Sequence, residues 1–67
     1  MNRMDLRGAI YSKFNSQSEF ADALSWSKQK LNYIVNGKRE PSVKDVSDMA
    51  RVLSKPIGEV AQFFLAQ

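Results

Sequence analysis

The sequence predicts a compact all-α domain of five short helices, and three observations carry that prediction. Apolar residues recur at three- and four-residue spacing in five stretches, with no alternation of the kind a half-buried strand requires. Serines stand immediately before the stretches that follow residues 16, 27 and 42, where a helix start needs an oxygen to receive its orphan amides. Between the stretches lie Asn15-Ser16, Ser25-Trp26, Asn36-Gly37 and Ser54-Lys55-Pro56, all residue types that interrupt helices.

Leu6, Ala9, Ile10 and Phe14 give a first helix over about 4–14, with Gly8 as a modest cost inside it. Ser16-Gln17-Ser18-Glu19 has the spacing of a capping box, Ser16 capping and Glu19 reaching back. A second helix follows over 17–24, with Phe20, Ala21 and Leu24 inward and Ala21 at the crossing with the next helix. Ser27 caps a third helix over 28–35, in which Leu31 and Ile34 face inward; Val35 faces inward or forms a small exposed apolar spot. Gly37 just past its end suits the left-handed conformation that closes helices. Ser42 and Asp45 form a second capping arrangement, and Val43, Val46, Met49, Ala50 and Leu53 make the apolar stripe of a fourth helix over 43–53. Pro56 is acceptable at the first position of a fifth helix over 57–65, lined by Ile57, Val60, Ala61, Phe63 and Phe64.

The 67 residues suit one domain spanning 1–67, with a thin core, since a chain this short buries only about 60% of its unfolded surface. The chain has neither cysteine nor histidine. That removes disulfides, the commonest metal ligands and the commonest general base. No metal or cofactor is expected. No apolar run approaches the ~18 residues of a membrane span, and no apolar segment typical of a signal peptide follows Met1-Asn2-Arg3-Met4-Asp5. A cytoplasmic protein without membrane contact is expected.

The net charge is +3 at neutral pH, but its distribution is uneven. Lys28, Lys30, Lys38 and Arg39 fall between residues 25 and 39 with no acid among them, while the rest of the chain sums to −1. Such clustering suits a polyanionic partner; on charge alone a solvated basic face is an equal reading. The third helix is more pointed. Helix starts carry partial positive charge and favour acids, yet this one opens Ser27-Lys28-Gln29-Lys30, at a local cost of about 0.3–1 kcal/mol per lysine. A docked phosphate would offset that cost, because free amides, dipole and ammonium groups all attract it. The exposed face of the helix carries Lys28, Gln29, Asn32 and Tyr33. Lysine can donate to guanine O6 and N7, glutamine and asparagine can pair with adenine, and tyrosine can meet a thymine methyl or a phosphate. Double-stranded DNA is therefore the expected partner.

The run Ser16-Gln17-Ser18-Glu19-Phe20-Ala21, with Ser27, Leu31, Ile34 and then Asn36-Gly37-Lys38-Arg39-Glu40-Pro41-Ser42, resembles the Cro/C1-type (XRE-like) helix-turn-helix family of phage repressors and related bacterial regulators. The likeness covers about residues 5–64. It implies a lambda-repressor-like fold whose second and third helices form the helix-turn-helix. It also implies roles by position. Gln17 contacts a phosphate at the opening of the second helix. Ser27, Lys28, Gln29 and Tyr33 face the major groove, with Lys28 and Gln29 reading bases. Asn32 lies nearby and touches bases or backbone. Asn36, Lys38 and Arg39 run along phosphates, as Ser27 and Lys30 do at the helix start. The family binds near-palindromic operators as homodimers, which implies a Cro-like or C1-like repressor in a bacterial or phage-infected cell, associated with the nucleoid. No small-molecule effector is expected. The sequence departs from the family pattern at Ser25, where glycine is frequent because the turn needs a left-handed residue. Serine held there costs roughly 1–2 kcal/mol. Trp26 replaces a smaller apolar residue, and Val35 stands where glutamate is common.

An enzyme is not expected: the acids are dispersed, the serines are accounted for as caps, and no glycine-rich phosphate loop is present. The alternative function is a protein-interaction module on the same fold, as an antitoxin-type or adaptor partner. Phe63, Phe64 and Leu65 are adjacent and cannot all face one core from a helix. With Ile57 they are candidate dimer contacts, a frayed cover over the core being the other reading.

Overall fold

A computed structural model describes residues 3–65; residues 1, 2, 66 and 67 of the expected domain lie outside the described part. It contains five helices: α1 Arg3–Lys13, α2 Gln17–Leu24, α3 Lys28–Val35, α4 Val43–Leu53 and α5 Ile57–Leu65. No strand occurs among the described residues.

Each helix contributes one apolar face to a shared core. The core is Leu6, Ala9 and Ile10 from α1, Phe20, Ala21 and Leu24 from α2, and Leu31, Ile34 and Val35 from α3. Met49, Ala50 and Leu53 from α4 and Val60, Phe63 and Phe64 from α5 complete it. Complete burial of a side chain such as Phe20 or Ile34 stabilises by about 1.5–3 kcal/mol. Phe14 packs on Phe20 with ring centroids 5.3 Å apart, closing the α1–α2 corner. Val35 is fully buried, so the core reading of that residue holds.

Val43 does not join the stripe expected of it. It is 82% exposed, while Asp45 is buried in the same first turn. The cause is polar: the Asp45 carboxylate is drawn in by the Ser42 amide at 3.0 Å and the Lys30 ammonium at 3.0 Å, which fixes the face α4 turns inward. The Ser42 hydroxyl accepts from the Asp45 amide, completing a capping box. At α2 the box is displaced. Ser16 accepts from the Glu19 amide as expected, but Glu19 Oε1 accepts from the amide of Asn15, one residue earlier than a capping box requires. Pro56 also sits one place earlier than expected. Its carbonyl accepts from Val60, so it occupies the cap rather than the first helical position.

The helix ends repeat one device. At α2 the Trp26 amide bonds Ala21 O and the Ser25 amide bonds Asp22 O; at α4 Lys55 and Ser54 do the same to Ala50 and Arg51. At α3 Lys38 and Gly37 bond Tyr33 and Ile34. These are Schellman closures, which need a left-handed residue. Gly37 supplies it at α3 with φ +77°, whereas Ser25 (φ 62°) and Ser54 (φ 59°) supply it at α2 and α4. The turn between α2 and α3 therefore keeps its left-handed geometry with serine in place of glycine.

Candidate nucleic-acid interface

The α2–Ser25–Trp26–Ser27–α3 unit sets two helix starts side by side. Gln17 and Ser18 of α2 and Lys28, Gln29, Leu31, Asn32 and Tyr33 of α3 line one groove of about 540 Å³. Five of the residues expected from the sequence to meet DNA thus converge: Gln17, Lys28, Gln29, Asn32 and Tyr33. Ser18 joins them without having been expected, although its place in the first turn of α2 beside Gln17 was a usable signal.

Other expected residues lie around this groove. Ser27 caps α3, its hydroxyl accepting from the Lys30 amide at 3.1 Å. Asn36, Lys38 and Arg39 are exposed in the loop after α3, where both the Lys38 and Arg39 amides donate to the Tyr33 carbonyl. That double bond holds the loop against the C-terminal end of α3. Lys28, Lys38 and Arg39 make no ion pair among the described residues.

Lys30 differs from its neighbours. Its ammonium turns inward to Asp45 of α4 at 3.0 Å and lies 4.2 Å from the centre of the Trp26 ring. The lysine expected on the phosphates is engaged within the domain, because a partly buried carboxylate and an aromatic face both attract it. The same contact gives Trp26 a role, since its ring lies under the Lys30 ammonium and its body packs against the core. Burial pushes the Asp45 carboxyl up, but the Ser42 amide, the Lys30 ammonium and the Ser42 hydroxyl together outweigh it and hold the group below the usual carboxylate range.

The outer face of α3 is internally ordered. Gln29 Nε2 donates to the Tyr33 hydroxyl at 3.1 Å, one turn along. Asn36 Nδ2 donates to Asn32 Oδ1 at 2.8 Å, and Asn36 Oδ1 accepts from Arg7 Nη2 of α1. Arg7 lies 29 positions from Asn36, and no local pattern in the sequence points to it. The face therefore presents fixed amides and a hydroxyl beside unpaired cations. That combination can bind a polyanion and discriminate among hydrogen-bonding edges.

Among the candidate dimer residues, Phe63 and Phe64 are buried in the domain's own core, while Ile57 and Leu65 are 48% and 68% exposed. Three adjacent apolar residues did force one outward, and it is Leu65. No helix of the described residues is long and apolar enough to cross a membrane.

A family model described as helix-turn-helix matches residues 15–60, more than half of the chain. No curated protein and no solved structure gives a match. The matched span runs from just before the α2 cap through the first turn of α5, and so holds the whole groove and its supporting helix. The chain belongs to the helix-turn-helix family of DNA-binding regulators, of the Cro/C1 type.

Proposed function

We propose that this protein is a sequence-specific repressor that binds a near-palindromic operator as a homodimer, in the cytoplasm of a bacterial or phage-infected cell. The observation that carries the reading is the outer face of α3. Lys28, Gln29, Asn32 and Tyr33 are all exposed there with no acid among them. In this reading Lys28 and Gln29 meet base edges, with Asn32 and Tyr33 beside them. Gln17 and the amides at the α2 start hold one phosphate strand, Ser27 closes the α3 start, and Asn36, Lys38 and Arg39 follow the backbone beyond it. Lys30 acts from behind by bracing α3 on α4.

Size supports two copies. The domain measures 26 × 24 × 21 Å, enough for one half-site. Reading successive major grooves requires centres about 34–36 Å apart. Ile57, half-buried Ala61 and Leu65 follow at four-residue spacing along α5 and form the exposed apolar stripe available for a second copy. Phe63 and Phe64 support that stripe from beneath.

Site selection from a random duplex library, followed by salt titration on the selected duplex, tests the proposal. Each neutralised phosphate contributes about −0.9 to the log–log slope. Lys28, Lys38 and Arg39 on two copies therefore predict a slope near −5. A flat salt dependence, a failure to enrich any sequence, or enrichment of a site without two-fold character would each remove part of the reading.

A further inference from the structure

Resting on the DNA-reading role just proposed, the geometry points to Arg7 as a positioning residue that sets which base Asn32 reads. The argument follows hydrogen-bond polarity. A guanidinium donates and never accepts. Arg7 Nη2 meets Asn36, so the atom of Asn36 on that side is the carbonyl oxygen. The Asn36 amino group is thereby turned to Asn32 and donates to it at 2.8 Å, so the atom of Asn32 on that side is again the oxygen. The Asn32 amino group is left pointing away from Asn36, on the exposed face of α3 that lines the groove with Lys28 and Gln29.

A free asparagine pairs with adenine by using both ends of its amide, oxygen to N6 and nitrogen to N7. Asn32 has one lone pair of its oxygen taken by Asn36 and its amide plane fixed along the helix, so it leads into the groove with its amino group and does not lay both ends on one base. The major-groove edge of guanine consists of two acceptors, N7 and O6, whereas adenine places a donor next to its acceptor. Asn32 held this way selects guanine. Arg7 achieves this from another helix, at a position outside the matched span of residues 15–60. Lysine in place of Arg7 would keep the polarity, since an ammonium also only donates. Methionine would release it, freeing the Asn36 amide to rotate and Asn32 to offer both ends.

The test uses the full chain and its selected duplex. Asn32→Ala identifies the base pair that Asn32 reads, as the one position whose preference collapses. That pair is expected to present guanine, preferred over adenine by about tenfold. In Arg7→Met the guanine-to-adenine ratio at that pair alone should fall toward one, and in Arg7→Lys it should return toward the wild-type value. Asn36→Ala should lower the guanine-to-adenine ratio at the same pair, on top of a uniform weakening from the loss of its place along the backbone. Thermal melts of the variants confirm folding, which the exposure of Arg7 and Asn36 favours. Adenine at the Asn32-dependent pair overturns the inference. So does an Arg7→Met protein that binds all sequences uniformly more weakly, since that is the mark of a lost phosphate contact. Unchanged preferences in Arg7→Met, or in Asn32→Ala, overturn it as well. A wild-type protein that enriches no site removes the DNA-reading proposal itself, and the relay with it.

Discussion

Helices α3 and α4 are built from the same parts and differ at both ends. Each opens on a serine whose hydroxyl receives the amide three residues on. In α4 that third residue is Asp45, which closes a capping box, whereas in α3 it is Lys30. At the other end α3 closes through Gly37 and α4 through a left-handed serine. The difference separates two tasks. The start of α4 turns one acid, Asp45, into the domain and satisfies its own dipole with it. The start of α3 faces outward without any acid in its first turn, and its surplus charge is half settled by borrowing Asp45 from α4. A single carboxylate thus serves as cap for one helix and counter-ion for the other, leaving Lys28 as the cation of that turn with no internal partner.

The largest effect is expected from removing the shared acid. Asp45→Ala deletes the cap of α4 and leaves Lys30 without its partner, at a cost of about 2–3 kcal/mol. For a domain of this size that lowers Tm by roughly 10–20 °C in a thermal melt. A change of only a few degrees would mean that the two helix starts do not differ in the way described. The same carboxyl has its native pKa lowered, so its stabilisation is complete above about pH 4 and is lost as pH falls through the native value. Asp48, held low by Lys44 and Arg51, contributes in the same direction. The informative quantity is therefore the difference between wild type and Asp45→Asn, which should narrow as urea-denaturation stability is followed into acid.

Giving α3 the acid that α4 has should divide folding from function. Lys28→Glu is expected to weaken operator binding tenfold or more and to flatten the salt slope by about 1–2 units. It should also raise folding stability by about 0.3–1 kcal/mol, because the helix start then carries the charge it prefers. Lower stability in this variant would contradict the dipole argument even if binding falls as expected.

Exchanging the helix ends gives the smallest effect. Ser25→Gly relieves a left-handed serine, offset in part by the greater freedom of glycine in the unfolded chain, for a net gain of about 0.5–1 kcal/mol. Ser54→Gly should gain less, since Ser54 Oγ also accepts from Lys13 Nζ at 2.8 Å. Equal gains at the two sites would show that the Lys13 contact adds nothing.

What the sequence made legible was whatever depends on near neighbours. The five helices, the Ser27 and Ser42 caps, the Gly37 closure and the shared outer face of Lys28, Gln29, Asn32 and Tyr33 follow from spacings of a turn or two, whereas the family resemblance alone places Gln17 beside them. What escaped were contacts set by tertiary packing. Lys30 finds Asp45 15 residues away, and Asn36 finds Arg7 on another helix. The burial of Asp45 at the expense of Val43 follows from the first of these, since periodicity alone favours the valine. Phe63 and Phe64 both fit the core because α4 and α1 flank α5 on two sides, which a single helical wheel does not reveal.

The chain contains one tryptophan, and it stands in the turn between the two helices of the recognition unit, half-buried beneath the Lys30 ammonium. Its emission therefore reports on that turn and not on the molecule at large. Quenching by iodide or acrylamide, and the wavelength shift on adding duplex, would read the seating of α3 against α2 in the unlabelled protein. A residue that departs from the family pattern supplies the domain with its own optical gauge.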